Sequence, residues 1–456
     1  MPLLELAARI ESGEAVTVSR AAFSPSGSLP NGTLARRVAE HLSAPESGVL
    51  LRSRDGRTLA RLQDGELEVA PDIDARLVPR ALADLEVDRG AHTLHTSLDI
   101  ELSEIAFRAF GRFRGSIVLL DPWTGEILAA VSDRRTHKRV EGTPAFEQMR
   151  EPASISKLIT TAAYLRAGGD PDARLSRMAC RGHLSYDGQR LYCPVIAGKL
   201  RGLDRAMAIS CNVAFAELAT EIGRPALLEE LRLFGFDGAL GTRLGGRFAS
   251  GQIVAPRGDL RQLADLAIGL EATDVTPLHA ALMAAVVGNG GELPEPTLVR
   301  AADGRLGLHP RLFEPAPRRP VLDPAHADVL RQSMRAVAER GTGMRMRTRG
   351  FPVAMKTGTA SHPSHGFHVN YIGFGPLPHA RVAFAVRITN QGTSRRVRAA
   401  ATEVTARLLR GLRSVSRQRG WFDAPQQPNF DSLQTNELQQ RLVRLQAERV
   451  ETATAR

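Results

Sequence analysis

Apolar, strand-like segments crowd the two ends of a long helix-rich stretch, and any fold of this chain must bring those ends together. Two come early. Gly115-Ser116-Ile117-Val118-Leu119-Leu120-Asp121-Pro122 leads through the turn residues Pro122-Trp123-Thr124-Gly125-Glu126 into Ile127-Leu128-Ala129-Ala130-Val131, and the pattern predicts a hairpin. Three come late, around 352–360, 369–375 and 381–389. Helical periodicity fills the space between: Ser154 to Leu165, several helices over 203–289, and one over 323–340 closed by Gly341-Thr342-Gly343. Val275-Thr276-Pro277-Leu278 opens an apolar helix that Asn289-Gly290-Gly291 ends, with Pro just inside the start and Gly just past the end. A last helix is expected from about 396 to 414. Early strands, a helical middle and late strands predict an α+β fold, a central antiparallel sheet flanked by helices with a helical subdomain.

The 456 residues suggest a division at 1–112, 113–412 and 413–456. In the first part, Val49 to Leu59 reads as two short strands joined at Asp55-Gly56, and Thr96-Ser97-Leu98-Asp99 sets up a helix with Leu102, Ile105, Ala106 and Ala109 inward. The last part turns polar and Gln-rich after Gly420, with a stripe of Leu438, Leu442 and Leu445 that reads as disordered tail, a short docking helix being the alternative. No stretch of about 18 apolar residues occurs, and Met1-Pro2-Leu3-Leu4-Glu5-Leu6 does not read as a signal peptide. The formal charge is +11, yet the arginines are scattered and not interleaved with aromatics, which argues against nucleic-acid binding and leaves an anionic surface compatible. Cys180 and Cys193 flank a turn-rich stretch that suits a bridged loop in an oxidising compartment, two free thiols being the alternative; Cys211 reads as a small hydrophobe within a helix.

Of the 60 basic residues, only Lys138, Lys157, Lys199 and Lys356 are lysines. Where nearly every cation is Arg, a retained Lys marks a place that needs a compact ammonium or one able to lose its proton. Lys157 closes Ser154-Ile155-Ser156-Lys157, and Lys356 opens Lys356-Thr357-Gly358-Thr359-Ala360; Lys138 and Lys199 read as surface residues. If Ser154 begins a helix, Lys157 lies one turn later on its face, within reach of the Ser hydroxyl. Ser210-Cys211-Asn212 can present a hydroxyl and an amide to one cleft. On a strand, Lys356, Gly358 and Ala360 share one face and Thr357 and Thr359 the other. Gly358 permits close approach of a ligand or a second backbone.

The order SxxK, SxN, KTG resembles the penicillin-binding proteins and related serine acyltransferases. The likeness spans about 113 to 412: Gly115 to Ala129 looks like the first strands of a transpeptidase domain, Gly341-Thr342-Gly343 fits the approach to KTG, and Asn370-Tyr371-Ile372-Gly373-Phe374 fits the strand after it. Two positions depart, Ala153 where many relatives have Gly and Asn370 where many have an aromatic residue. Leu50 to Leu82 resembles the juxtamembrane part of bifunctional enzymes, without a glycosyltransferase domain apparent before residue 96.

The resemblance implies a D,D-transpeptidase acting on peptidoglycan stem peptides ending in D-Ala-D-Ala. Ser154 would be the nucleophile and Lys157 the base, neutral beside a Lys356 cation. Ser210 would relay a proton, Asn212 hold Lys157 and the substrate amide, and Thr357, Gly358 and Thr359 line the carboxylate site. It implies covalent inhibition by β-lactams, no metal or organic cofactor, a glycan synthase as a partner, and a place on the periplasmic or extracytoplasmic face of the inner membrane. A D,D-carboxypeptidase or endopeptidase on the same scaffold, or a non-catalytic sensor, are the alternatives. A β-lactamase is disfavoured by the lack of a Glu-x-x-Leu-Asn ahead of KTG. His362, His365 and His368 have no standard ligand spacing and are expected in a solvated loop at the cleft mouth. Because the base must shed its proton, Lys157→Arg should abolish covalent labelling by fluorescent penicillin nearly as fully as Lys157→Ala, read from gel fluorescence.

Overall fold

The computed structural model describes residues 48–421, except 86–90, 134–141, 187, 242–247, 255–256, 271–272, 305–310, 313–317 and 390–391. The reading of the amino terminus, Lys138 and the Leu438, Leu442 and Leu445 stripe lie outside the described residues.

The chain opens with β1 (Val49–Arg52), β2 (Thr58–Gln63) and β3 (Glu66–Val69), paired antiparallel in sequence. Gly56, at φ +85°, sits in the expected Asp-Gly turn, where a left-handed backbone is cheapest for glycine. β4 (Ala91–Thr96) runs parallel to β1. Asp99 then caps α1 (Ile100–Phe110), its carboxylate accepting from the Leu102 N–H at 3.0 Å. The apolar hairpin follows as β5 (Arg114–Leu120) and β6 (Ile127–Ser132), almost wholly buried. Helices and short strands fill the middle: α2 (Lys157–Arg166), β7 (His183–Tyr186), β8 (Gln189–Tyr192), α3 (Leu203–Ala208), α4 (Asn212–Leu233), α5 (Leu260–Ile268) and α6 (Pro277–Gly288).

β9 (Val299–Gly304) returns to the first sheet and pairs antiparallel with β4, while β10 (Arg311–Leu312) extends it, so a segment from the middle of the chain completes the amino-terminal layer. α7 (Pro324–Arg340) precedes β11 (Ala354–His362), β12 (Gly366–Gly375) and β13 (Val382–Thr389), and α8 (Ser394–Gln418) closes the described chain. α8 continues beyond the expected 414 because Val415 and Ser416 are still buried against the core.

The two ends meet as the strand pattern demands. The main sheet has the order β11-β12-β13-β5-β6, every neighbour antiparallel. α6, every residue of it buried, packs across β5, β12 and β13, and α8 packs with α1 and against β12 and β13. β11 is thus the edge strand, and its free side faces the helical subdomain through α7 and the turn that precedes α2. No helix among the described residues is long and apolar enough to cross a membrane.

Asn289 ends α6 and ties it to the hairpin. Its Nδ2 donates to the Pro122 and Glu292 carbonyls, each at 2.7 Å, and its Oδ1 accepts from Gly291 N at 3.2 Å and Glu292 N at 3.0 Å. A buried amide with all four bonds made is costly to delete, because its partners lose water as well as the amide. Asn289→Ala should lower the unfolding free energy by about 3 kcal/mol in urea titration.

Candidate active site

Ser154 sits in a single 3-10 turn, Ala153–Ser156, that feeds directly into α2 at Lys157. The expected helical start is therefore tighter than an α-turn, and Lys157 is the first α-helical residue. Two backbone features hold it. Ala153 adopts φ +56° and donates its N–H to the Gly269 carbonyl at 2.8 Å. Gly269 ends α5 in the left-handed conformation, and a Cβ there would fall 2.3 Å from the Ala153 carbonyl oxygen.

Ser210 and Cys211 form the tight connection between α3 and α4, with Ser210 at φ +56°. Cys211 is the N-cap of α4 and not an interior helical residue, as its pattern had suggested; it is fully buried. Asn212 begins α4 and points its side chain away from the helix, Nδ2 donating to the Tyr192 carbonyl at 2.9 Å. The third motif lies on the edge strand β11. Gly358 is where that strand meets the Ser154 turn: a Cβ would lie 3.0 Å from Pro152 O and 3.2 Å from both Ala153 Cβ and Ser154 N.

The two lysines converge. Lys157 Nζ donates to the Ser210 carbonyl at 2.7 Å, to Asn212 Oδ1 at 2.7 Å and to Ser210 Oγ at 3.2 Å. Lys356 Nζ donates to the same Ser210 Oγ at 2.8 Å and to the Thr357 carbonyl at 2.7 Å. Both acceptor positions of the Ser210 hydroxyl are therefore filled, which leaves its own O–H to donate elsewhere. The Thr357 hydroxyl shares a hydrogen bond of 2.6 Å with that of Thr342, in the Gly341-Thr342-Gly343 segment. Thr359 is half-buried on the same strand. Lys199, in contrast, is exposed.

Both amines are fully buried, and burial pushes both below the ordinary ammonium range. For Lys157 the result is about 8, because the Cys211 and Cys193 sulfurs partly restore its charge. Lys356 is pushed well below by burial and then by the Lys157 charge. Burial of both amines, and at Lys356 the Lys157 charge, thus favour a site that carries fewer than two ammonium charges.

Residues 115–410 match the family model for the penicillin binding protein transpeptidase domain. The chain belongs to this penicillin-binding transpeptidase family. Peptidoglycan D,D-transpeptidase PbpA of Mycolicibacterium smegmatis is 30% identical over 393 residues, covering 76% of this chain and 77% of that protein. Its namesake in Mycobacterium tuberculosis is 28% identical over 387 residues, with the same coverage. Among solved structures, the D,D-transpeptidase domain of a peptidoglycan glycosyltransferase from Eggerthella lenta superposes with a TM-score of 0.70 at 21% identity, covering 82% of this chain and 99% of that one. A ceftriaxone acyl-enzyme complex of penicillin-binding protein A from M. tuberculosis gives 0.68 at 24%, covering 80% and 98%. These likenesses confirm the fold expected from the strand pattern.

The transpeptidase domain also uses residues that the motifs do not reveal. Asn370 Nδ2 donates to the Glu151 carbonyl at 2.9 Å and the Pro152 carbonyl at 3.2 Å, and Asn370 Oδ1 accepts from Arg387 Nε at 2.7 Å. The departure from an aromatic residue at 370 thus serves to hold the chain entering the Ser154 turn. Arg387 is fully buried, spends its other nitrogens on Gln148 O at 2.6 Å and Val275 O at 2.9 Å, and is lowered to about 9 by that burial. Its signal was a lone charge in the apolar run Val382 to Ile388.

His368 is not in a solvated loop: it is buried on β12, Nε2 at 2.9 Å from the Glu151 carbonyl. Glu151, His365 and His368 bring donor atoms within 4.8 Å of one another, as do Cys180, Cys193 and Cys211. These are the groups among the described residues that could hold a metal ion, although the Arg150 and Arg387 charges act against a cation at the histidine group.

Because a Cβ at Gly358 would press on the Ser154 turn and displace it by a few tenths of an ångström, Gly358→Ala should slow penicillin acylation by about 10- to 100-fold. Stopped-flow or gel-based labelling rates would read this, with circular dichroism as the check on folding.

Proposed function

We propose that this chain is a peptidoglycan D,D-transpeptidase that works through an acyl-enzyme on Ser154. Membership of the transpeptidase family and 30% identity to a peptidoglycan D,D-transpeptidase support the activity. The observation that carries the residue roles is the meeting of Lys157 and Lys356 at the Ser210 hydroxyl, next to the turn that bears Ser154.

In this reading, Ser154 Oγ attacks the carbonyl carbon of the penultimate D-Ala of a stem peptide. Lys157 in its neutral form takes the hydroxyl proton. The developing oxyanion lies between the backbone N–H groups of Ser154 and Thr359. Ser210, whose O–H is left free by its two amine donors, supplies a proton to the departing D-Ala amine. Asn212 holds Lys157 in place and meets the substrate amide. The terminal carboxylate docks against Thr357 and Thr359, over the close contact that Gly358 permits, with the Lys356 charge behind them. The amine of a second stem peptide then attacks the ester and releases Ser154. A β-lactam enters as the acyl donor and stays bound as the ester. Acyl transfer by this route needs no metal or organic cofactor.

Stem peptides cross-link outside the cytoplasmic membrane, so the site belongs on the extracytoplasmic face. Cross-linking acts on nascent glycan strands, which makes a glycan synthase the fitting partner.

Labelled penicillin should attach stoichiometrically, and Ser154→Ala should not label at all; full labelling of that variant would sink the assignment. Products formed with an amine acceptor present separate transpeptidation from hydrolysis. The acylation rate should rise with pH and level off above about 8, because the active form of Lys157 is the deprotonated one and burial sets its loss of charge there. A rate that falls over the same range in a pH series would rule out Lys157 as the base.

A further inference from the structure

The middle residue of the Ser210-Cys211-Asn212 turn sets its sulfur 3.7 Å from that of Cys193, and both residues are buried. Cys193 directly follows β8, and its sulfur accepts the Asn212 backbone N–H at 3.3 Å. Asn212 opens the first run of α4, which is helical up to the kink at Gly223, so the Cys193 sulfur also lies at a helix N-terminus, where a thiolate is favoured. The Cys211 S–H and the backbone N–H groups together bring Cys193 down to about 5, and the same S–H bond pushes Cys211 up. Cys193 is thus the sulfur at which these contacts favour a negative charge, and Cys211 the thiol held against it. Cys180 is the third: its sulfur points at the Val195 carbonyl at 3.4 Å, and all three sulfurs lie within 4.8 Å of one another. The expected loop bridge between Cys180 and Cys193 is not the arrangement seen, since the hydrogen-bonded partner of Cys193 is Cys211.

We propose that Cys193 and Cys211 are a disulfide-forming pair, and that the bond ties the Ser210–Asn212 turn to the end of β8 and removes a negative charge from beside Lys157. A disulfide donor supplies the oxidising equivalents. The Cys193 thiolate attacks one donor sulfur, the donor S–S bond breaks, and one donor thiolate leaves. Cys211 gives up its proton and attacks the Cys193 sulfur of the mixed disulfide, expelling the second donor half. The cysteine pair loses two electrons and the donor gains them as two thiols, which take up the Cys211 proton and one from water. The two sulfurs need only close from 3.7 Å to a bond of about 2.0 Å.

The bond would brace Asn212 on both sides. Its side chain already hangs from the Tyr192 carbonyl, one residue before Cys193, while its Oδ1 receives Lys157. The charge effect has a definite sign. The groups that act on Lys157 are Lys356 on β11 and the Cys193 and Cys211 sulfurs, with the Phe215 ring 5.5 Å away on α4. A thiolate at Cys193 favours the protonated form of Lys157, and its conversion to a disulfide removes that support. Lys157 then sheds its proton at lower pH, so the bridged protein is the faster acyl acceptor near neutrality.

The charge effect rests on Lys157 acting as the base, whereas the bond itself does not, and two readouts keep them apart. The full chain is equilibrated with oxidised glutathione or with dithiothreitol, alkylated, and analysed by intact mass and peptide mapping. The expected result is a Cys193–Cys211 bridge with Cys180 alkylated in the oxidised sample, unchanged by Cys180→Ser and lost in Cys193→Ser. Three alkylated thiols after oxidation, a Cys180–Cys193 bridge, or zinc retained by the three sulfurs in metal analysis would each overturn the pairing. Penicillin acylation is then followed against pH in both states. Oxidation should lower the midpoint by about half a pH unit, a gain of about threefold on the acid limb, with no redox response in Cys193→Ser. A bridge without that shift overturns the charge effect. Absence of penicillin labelling in either state would instead overturn the transpeptidase reading and leave the bridge to be judged by mass.

Discussion

Two buried amines share one hydroxyl oxygen, and much of the molecule is arranged to make that tolerable. A single buried ammonium is expensive, and a second beside it is more so. Lys157 is stabilised by two further acceptors, the Ser210 carbonyl and Asn212 Oδ1, both supplied by one tight connection between α3 and α4. That connection exists only because Ser210 accepts a left-handed backbone, a strain of about 1 kcal/mol that the surrounding helices hold in place. Lys356 comes from the opposite side, on an edge strand that faces the helical subdomain. The site is therefore a junction between two packing units, and its proton balance depends on their spacing.

That spacing is set at Gly358 and at the chain entering the Ser154 turn. Gly358 allows the edge strand to approach the turn at van der Waals distance. On the other side, Asn370 and Arg387 hold the carbonyls of Gln148, Glu151 and Pro152. Arg387 meets neutral acceptors at each of these contacts, so it acts as a rigid fork of hydrogen-bond donors and gains little from charge pairing. The reactive turn is thus gripped by backbone atoms from one side and by a planar cation from the other.

The main sheet, its flanking helices and the lysine pair were legible in the sequence because each leaves a local mark. Strand alternation, Asn289-Gly290-Gly291 after an apolar run, and two lysines among arginines can all be read without tertiary contacts. What escaped is relational. His368 looks like a loop residue by its neighbours in sequence, and only pairing of β12 with β13 on one side and β11 on the other buries it. Arg387 is one arginine among many until three distant carbonyls converge on it. The downward pull on both lysines comes from burial, and at Lys157 it is countered by nearby sulfurs, neither of which any spacing encodes.

Glu126 and β9 give the amino-terminal layer a part beyond that of a leading segment. Glu126, in the hairpin turn of the main sheet, is buried between Arg54 of the first sheet and Arg300 of β9, the latter at 2.8 Å. Thr297 bridges to Glu126, and Asn289 grips Pro122 a few residues away. A load applied to the first sheet would pass through this carboxylate into the hairpin and then into α6, the helix beneath the catalytic sheet. The first sheet and the main sheet are thus tied together through one buried carboxylate at the hairpin turn.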